Sequence, residues 1–218
     1  MSEALKESFR TVGKEYGYID VDAEYAAFRE LKILWQRSRG KAEFKVSDYL
    51  QGSDRTILDD IARTLFSRMT GNGDASEWPI PKDFVKNNQP TYLRRSRNLS
   101  RTPVGEVRDL RDSCKRLEAR GLITTDPEVH ISWTREPNVR RVGYCSVLMK
   151  VIAISSVFDN TDVPEFVLDY VVYHEFIHLT TGRTPFGKKH GPDFKHEERK
   201  YPELKEAEAW LKRLCLYL

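Results

Sequence analysis

The chain reads as an α+β protein, with helices segregated around a sheet instead of alternating with its strands. Three observations carry that reading. Apolar and polar residues alternate with a period of two through much of residues 19–46, the pattern of strands wet on one face. Residues 163–179 are apolar on nearly every side, which marks a helix buried all round. Residues 129–134, 141–146 and 151–155 form three short runs of strand character immediately before that helix.

In chain order, Ile19, Val21, Ala23 and Tyr25 alternate with Asp20, Asp22 and Glu24, a half-buried strand. Leu31, Ile33 and Trp35 continue the alternation, as do Ala42, Phe44 and Val46 after a turn at Gly40, so a three-stranded antiparallel meander is expected. Ile57, Ile61, Leu65 and Met69, flanked by Leu58, Ala62 and Phe66, form a wide helical stripe. Gly71-Asn72-Gly73-Asp74 and Pro79-Ile80-Pro81 mark an exposed loop. Two polar helices follow, near 83–97 and 105–120; then come the three short strands, the apolar helix and two C-terminal helices. This divides the chain into a meander plus helix at 1–80, packed with the rest, a helical basic segment at 81–125, and a core at 126–218. No repeat or low-complexity tract interrupts it.

Composition bounds the function. A chain of 218 residues, 39% hydrophobic and 32% charged, is long enough to bury a core. No apolar run reaches the ~18 residues that cross a bilayer, so a membrane partner is not expected. Met1-Ser2-Glu3-Ala4-Leu5-Lys6-Glu7 is too charged for a signal peptide. Cys114, Cys145 and Cys215 are odd in number and show no paired spacing, which points to a reduced, cytoplasmic setting and excludes a cysteine-rich zinc site.

The apolar helix carries the chemistry. It is bounded by Asp162 as N-cap with Glu165 at N3, and by Gly182 after its last apolar residue. Within it stands Tyr173-His174-Glu175-Phe176-Ile177-His178-Leu179. His174 and His178, four residues apart, share one helix face and can hold a single Zn²⁺ ion, while Glu175 can reach a water on the metal without ligating it. The plainer alternative is a pair of hydrogen-bonded core histidines beside an ion-paired glutamate. Burying three such groups without coordination or partners costs several kcal/mol, so the metal reading is preferred. A third ligand is needed. Downstream, His190 precedes a Gly191-Pro192 turn, His196 lies among charged residues, and Glu206 and Glu208 lie in the last helix.

The combination of His174-Glu175-x-x-His178, a short loop and His190-Gly191-Pro192-Asp193-Phe194 resembles the SprT-like and Spartan metalloproteases and the related YgjP-like peptidases. Gly143-Tyr144-Cys145 followed by Val151–Ser155 resembles the Gly-x-Cys segment and strand before the active-site helix of that family, and Tyr201-Pro202-Glu203-Leu204 with Ala209-Trp210-Leu211 resembles the YgjP-like C-terminal helix. The likeness covers roughly residues 129–218. It implies a zincin-like metallopeptidase domain with His190 as third zinc ligand, Glu175 as general base, and the strand at 151–155 as the edge on which a polypeptide substrate pairs. For the residue that stabilises the oxyanion, Tyr201, Tyr144 and Arg199 are candidates.

The basic segment is a second clue. Between Arg94 and Arg120, nine basic residues face four acidic ones, a local balance of +5 against +3 for the whole chain. Arg94, Arg95, Arg97 and Arg101 form a run without an acid, suited to the phosphates of DNA or RNA. A solvated helix with pairs such as Arg108–Asp112 is the plainer account of the rest. The functional expectation is a zinc-dependent endopeptidase with one Zn²⁺ per chain, and the family resemblance implies DNA-associated or crosslinked proteins as its substrates. The alternative is a nucleic-acid-associated module whose zinc site is structural or of low turnover, closed by a fourth ligand such as Cys145, His196 or a C-terminal Glu.

Overall fold

A computed structural model describes residues 2–71, 80–81, 83–181 and 190–214. It is α+β, with seven α-helices and two three-stranded mixed sheets among those residues. The chain forms two compact units, residues 1–88 and 89–218. The boundaries expected at 80/81 and 125/126 thus compare with a single division inside helix α3 (Phe84–Arg95). No helix among the described residues is long and apolar enough to cross a membrane.

The first unit opens with a helix that the alternation argument passes over, α1 (Ser2–Glu15). Leu5, Phe9 and Val12 fall on one face at helical spacing, and all three are fully buried. A Cβ on Gly13 would lie 2.7 Å from Val21 Cγ2 and 2.9 Å from the Phe66 ring, so only glycine lets α1 approach this closely. The strands are β1 (Asp20–Ala26), β2 (Ile33–Ser38) and β3 (Lys41–Ser47), and α2 (Arg55–Thr70) follows. Their order is β1-β3-β2, with β1 parallel and β2 antiparallel to β3, which corrects the expected meander. Burial explains the order. Ala42, Phe44 and Val46 of β3 are all buried, whereas Leu34 and Trp35 of β2 stay 42% and 46% exposed, so β3 takes the centre and β2 an edge. Gly40 turns the β2–β3 hairpin at φ 68°. Ile19, counted into the first strand, precedes it and is exposed. Gly71, with φ 78°, ends α2; residues 72–79 of the expected loop lie outside the described residues.

The second unit holds α4 (Leu110–Ala119), β4 (His130–Trp133), β5 (Gly143–Ser146), β6 (Val151–Ile154), α5 (Glu165–Thr181), α6 (Pro192–Glu198) and α7 (Leu204–Leu211). Strand order is β4-β6-β5, with β4 parallel and β5 antiparallel to β6. The strand expected as a substrate edge is therefore the central one, and all four of its residues are buried. Its apolar sequence suits a place with both faces covered. Residues 98–102 run along the outer side of β4, with Ser100 N–H donating to Trp133 O (2.9 Å) and Arg135 N–H to Asn98 O (2.9 Å). On the other side, Ser155 N–H donates to Val142 O (2.8 Å), a register that turns the Gly143 backbone away from β6.

Helix α4 starts at Leu110 instead of near 105. The Asp159 carboxylate accepts the backbone N–H groups of Glu106, Val107 and Arg108 and holds them in a loop, and Asp109 caps the helix by accepting from Arg111 N–H (2.9 Å). Leu110 and Leu117 of α4 enter the same core as Trp133, Ile152, Ile154 and the apolar faces of α5, so α4 and the apolar helix share one core. Arg116 grips buried Asp169 of α5 with two bonds of 2.8 and 2.7 Å. Helix α5 begins at Glu165, with Pro164 O accepting from Val167 N–H (3.0 Å); Asp162 lies outside the helix and its own N–H donates to Asn160 Oδ1. The expected stop, Gly182, lies outside the described residues.

Candidate metal centre

Tyr170, His174 and His178 recur every four residues and so form one stripe along α5. Loop residue His190, just before α6, completes a group with the last two: His174, His178 and His190 each offer a ring nitrogen, and these nitrogens lie within 4.8 Å of one another. His178 Nε2 and His190 Nε2 are 3.3 Å apart. That is the edge of a tetrahedron whose centre lies about 2.0–2.1 Å from each nitrogen, the zinc–imidazole distance. The three ring centroids are 5.0–5.2 Å apart, and the Phe194 ring packs 4.5–4.9 Å from each of them as an apolar floor. Phe194 itself is buried, and the Gly191-Pro192 start of α6 carries it there.

His174 is fixed from behind. Its Nδ1 lies 2.8 Å from Glu198 Oε1, and the same oxygen accepts the Tyr170 hydroxyl at 2.9 Å. Burial pulls the His174 pKa below the ordinary histidine value, against the opposing pull of Glu198 and with a smaller contribution from His190. A lowered pKa keeps the imidazole neutral near pH 7, the form that binds a metal. Burial, then the Glu198 charge, raises the Tyr170 pKa, and burial pushes Tyr173 up to about 12, so both hydroxyls remain donors. Tyr173 uses its proton on Glu197 O (2.7 Å), which ties α6 to α5.

Glu175 is 5% exposed. A Cβ on Gly143 would meet its Oε1 at 2.6 Å, so the carboxylate lies directly against the β5 backbone where only glycine leaves room. The carboxylate is thus buried one residue from His174.

Of the other candidates, His196, Glu206 and Glu208 are exposed on α6 and α7 and lie outside the metal-ligand group found among the described residues, as does half-buried Cys145. Tyr201 is withdrawn from an oxyanion role: it is buried, and its hydroxyl donates to Phe166 O (2.7 Å), two helical turns before His174. Tyr144 follows Gly143 on β5, with the Arg141 guanidinium 4.5 Å over its ring. Arg199 is exposed at the end of α6. In the basic segment, the Arg108 side chain donates to Asn160 O and Val163 O in place of the expected pair with Asp112, which binds Lys115 (2.8 Å). Arg111 holds Asp109, and Arg120 lies 3.1 Å from Glu203. The acid-free run differs: Arg94, Arg97 and Arg101 are exposed.

Sequence reasoning passed over Glu198 and the Arg116–Asp169 pair, and took Gly143 only as part of the Gly-x-Cys resemblance, not as the neighbour of Glu175. Glu198 had a signal, because it follows Phe194 by four residues and so shares its buried face of α6. The other two depend on pairings between distant segments. No protein-family model matches this chain, and neither a curated protein nor a solved structure matches it.

Proposed function

We propose that the second unit is a zinc-dependent endopeptidase of the SprT-like, zincin-like kind, acting in the cytoplasm. The observation that carries this is the convergence of His174, His178 and His190 within 4.8 Å beside a buried Glu175 that belongs to none of the ligand set. The donor set suits zinc. Three imidazoles are the protein ligands of a catalytic site with one position left over, whereas structural sites close with four.

When bound, zinc would supply Lewis acidity, polarising the scissile carbonyl and lowering the pKa of a water toward ~7. The chain's own residues do the rest. Glu175 accepts the proton of the attacking water as its oxygen adds to the carbonyl carbon, then delivers that proton to the amine nitrogen as the C–N bond breaks. Gly143 keeps the carboxylate pressed against β5 and away from bulk water. β5, not β6, is the strand beside Glu175, so an extended polypeptide pairs there in this reading. The test is metal content with activity. Purified protein should hold about one Zn²⁺ per chain, and Glu175→Gln should keep fold and zinc while abolishing peptide hydrolysis. A near wild-type rate in that variant would remove Glu175 from the mechanism and favour a nucleic-acid-associated module with a non-catalytic zinc site.

A nucleic-acid partner has its own support. Arg108, Arg111, Arg116, Arg120 and Lys115 are engaged within the protein, whereas Arg94, Arg97 and Arg101 of the acid-free run are exposed. Backbone pairing along β4 adds exposed Arg135, whose Nε donates to Leu99 O (3.1 Å), to that run. Replacing the four arginines of the run with Ala should flatten the log–log salt dependence of DNA or RNA binding by up to ~4 units without changing hydrolysis of a small free peptide. An unchanged slope would make the run a solvated face.

A further inference from the structure

We infer that Glu198, with Tyr170 behind it, is the positioning residue that sets His174 in its metal-binding tautomer, an assignment that rests on the metal reading above. Helix α6 brings Glu198 to the stripe of α5 that also carries both helix ligands, so one carboxylate oxygen receives Tyr170 Oη at 2.9 Å and His174 Nδ1 at 2.8 Å. The Tyr170 hydroxyl already donates to that oxygen, and a carboxylate oxygen in this position can only accept from the ring as well. The imidazole proton therefore resides on Nδ1, which leaves the Nε2 lone pair to face His178 and His190. The contact is sheltered: Glu198 and His174 side chains are 18% and 24% exposed. Two further bonds hold α6 and the turn after it in register on α5, Tyr173 Oη to Glu197 O and Tyr201 Oη to Phe166 O, both 2.7 Å. A carboxylate in this position also makes the ring a stronger donor to a metal.

The experiment uses the full chain, with the metal alone as probe. In metal-free wild type, ¹⁵N-resolved imidazole NMR should report His174 as the Nδ1–H tautomer; an Nε2–H tautomer would overturn the inference whether or not zinc binds. Competition with a chromophoric chelator then reads affinity. Glu198→Ala should weaken Zn²⁺ binding about 10- to 100-fold and scramble the His174 tautomer, while Glu198→Gln, which keeps an acceptor oxygen, should restore most of both. A folded Glu198→Ala with wild-type affinity and an unchanged Nδ1–H signal sinks the proposal. Should Glu198→Ala fail to fold, Glu198→Gln and the wild-type tautomer decide it. Failure of wild type to bind zinc at all would defeat the metal reading, and the tautomer measurement would still stand on its own.

Discussion

The two units contain the same small sheet twice and use it differently. In each, the first strand runs parallel and the second antiparallel to a third strand placed in the centre. In the first unit, burial alternates along β1 and β3, and the outward face carries exposed pairs such as Lys41–Asp20 (2.8 Å) and Lys45–Glu24 (3.6 Å). In the second, β6 is buried at every position, and α5 packs over the sheet with His174 and Glu175 aboard. The edge strands differ in kind as well. β2 is exposed at every position after Ile33, whereas β5 opens with a glycine that makes room for a carboxylate. The same pairing pattern thus serves as a half-wet platform in one place and as a covered wall in the other. Only the covered wall brings a buried glutamate, Glu175, beside the half-buried His174 and His178.

The comparison predicts that damage to the two sheets separates. Phe44 is fully enclosed at the centre of the first unit, edge-on to Phe9 and Phe66 with ring centroids 4.8 and 5.2 Å away. Phe44→Ala should cost about 3–5 kcal/mol in urea unfolding of that unit, yet leave zinc stoichiometry unchanged. Loss of zinc in that variant would break the separation. Arg116→Ala strands a carboxylate that is 3% exposed at its side chain, inside the second unit. It should lower stability by about 3 kcal/mol, and here zinc retention in urea should fall with it.

Gly143→Ala sharpens the contrast between the edge strands. The clash falls hardest on Glu175 Oε1, with its Cγ and Cδ 3.0 and 3.1 Å away, so the Glu175 side chain should be displaced while the fold and the zinc stay. Hydrolysis should drop about 100-fold, roughly 2.7 kcal/mol of barrier, with little change in melting temperature. If activity survives intact, the β5 contact does not position the base. The smallest effect belongs to the wet face. Lys45→Ala removes an exposed pair and should change unfolding free energy by no more than about 0.5 kcal/mol.

Much of this was legible in the sequence because it is local. The period-two runs, the α2 stripe and the buried helix follow from side-chain spacing, and His190-Gly191-Pro192 marks the return of the chain after α5. Strand order was not legible. Whether β3 or β2 takes the centre depends on which strand buries more when paired, a property of the assembled sheet. The first helix was hidden by its charges, though Leu5, Phe9 and Val12 carry a helical spacing. Glu198 was not legible because Lys195, Glu197 and Arg199 surround it with charge, and only the seating of Phe194 turns that side of α6 inward.

One measurement tests the central claim most directly: a crystal structure of the zinc-loaded protein with an anomalous map at the zinc edge. A single peak should appear, bonded to His174, His178 and His190 at about 2.0–2.1 Å, with Glu175 unligated and water in the fourth position. A peak closed by a fourth protein side chain, or one placed away from these three histidines, would contradict the account.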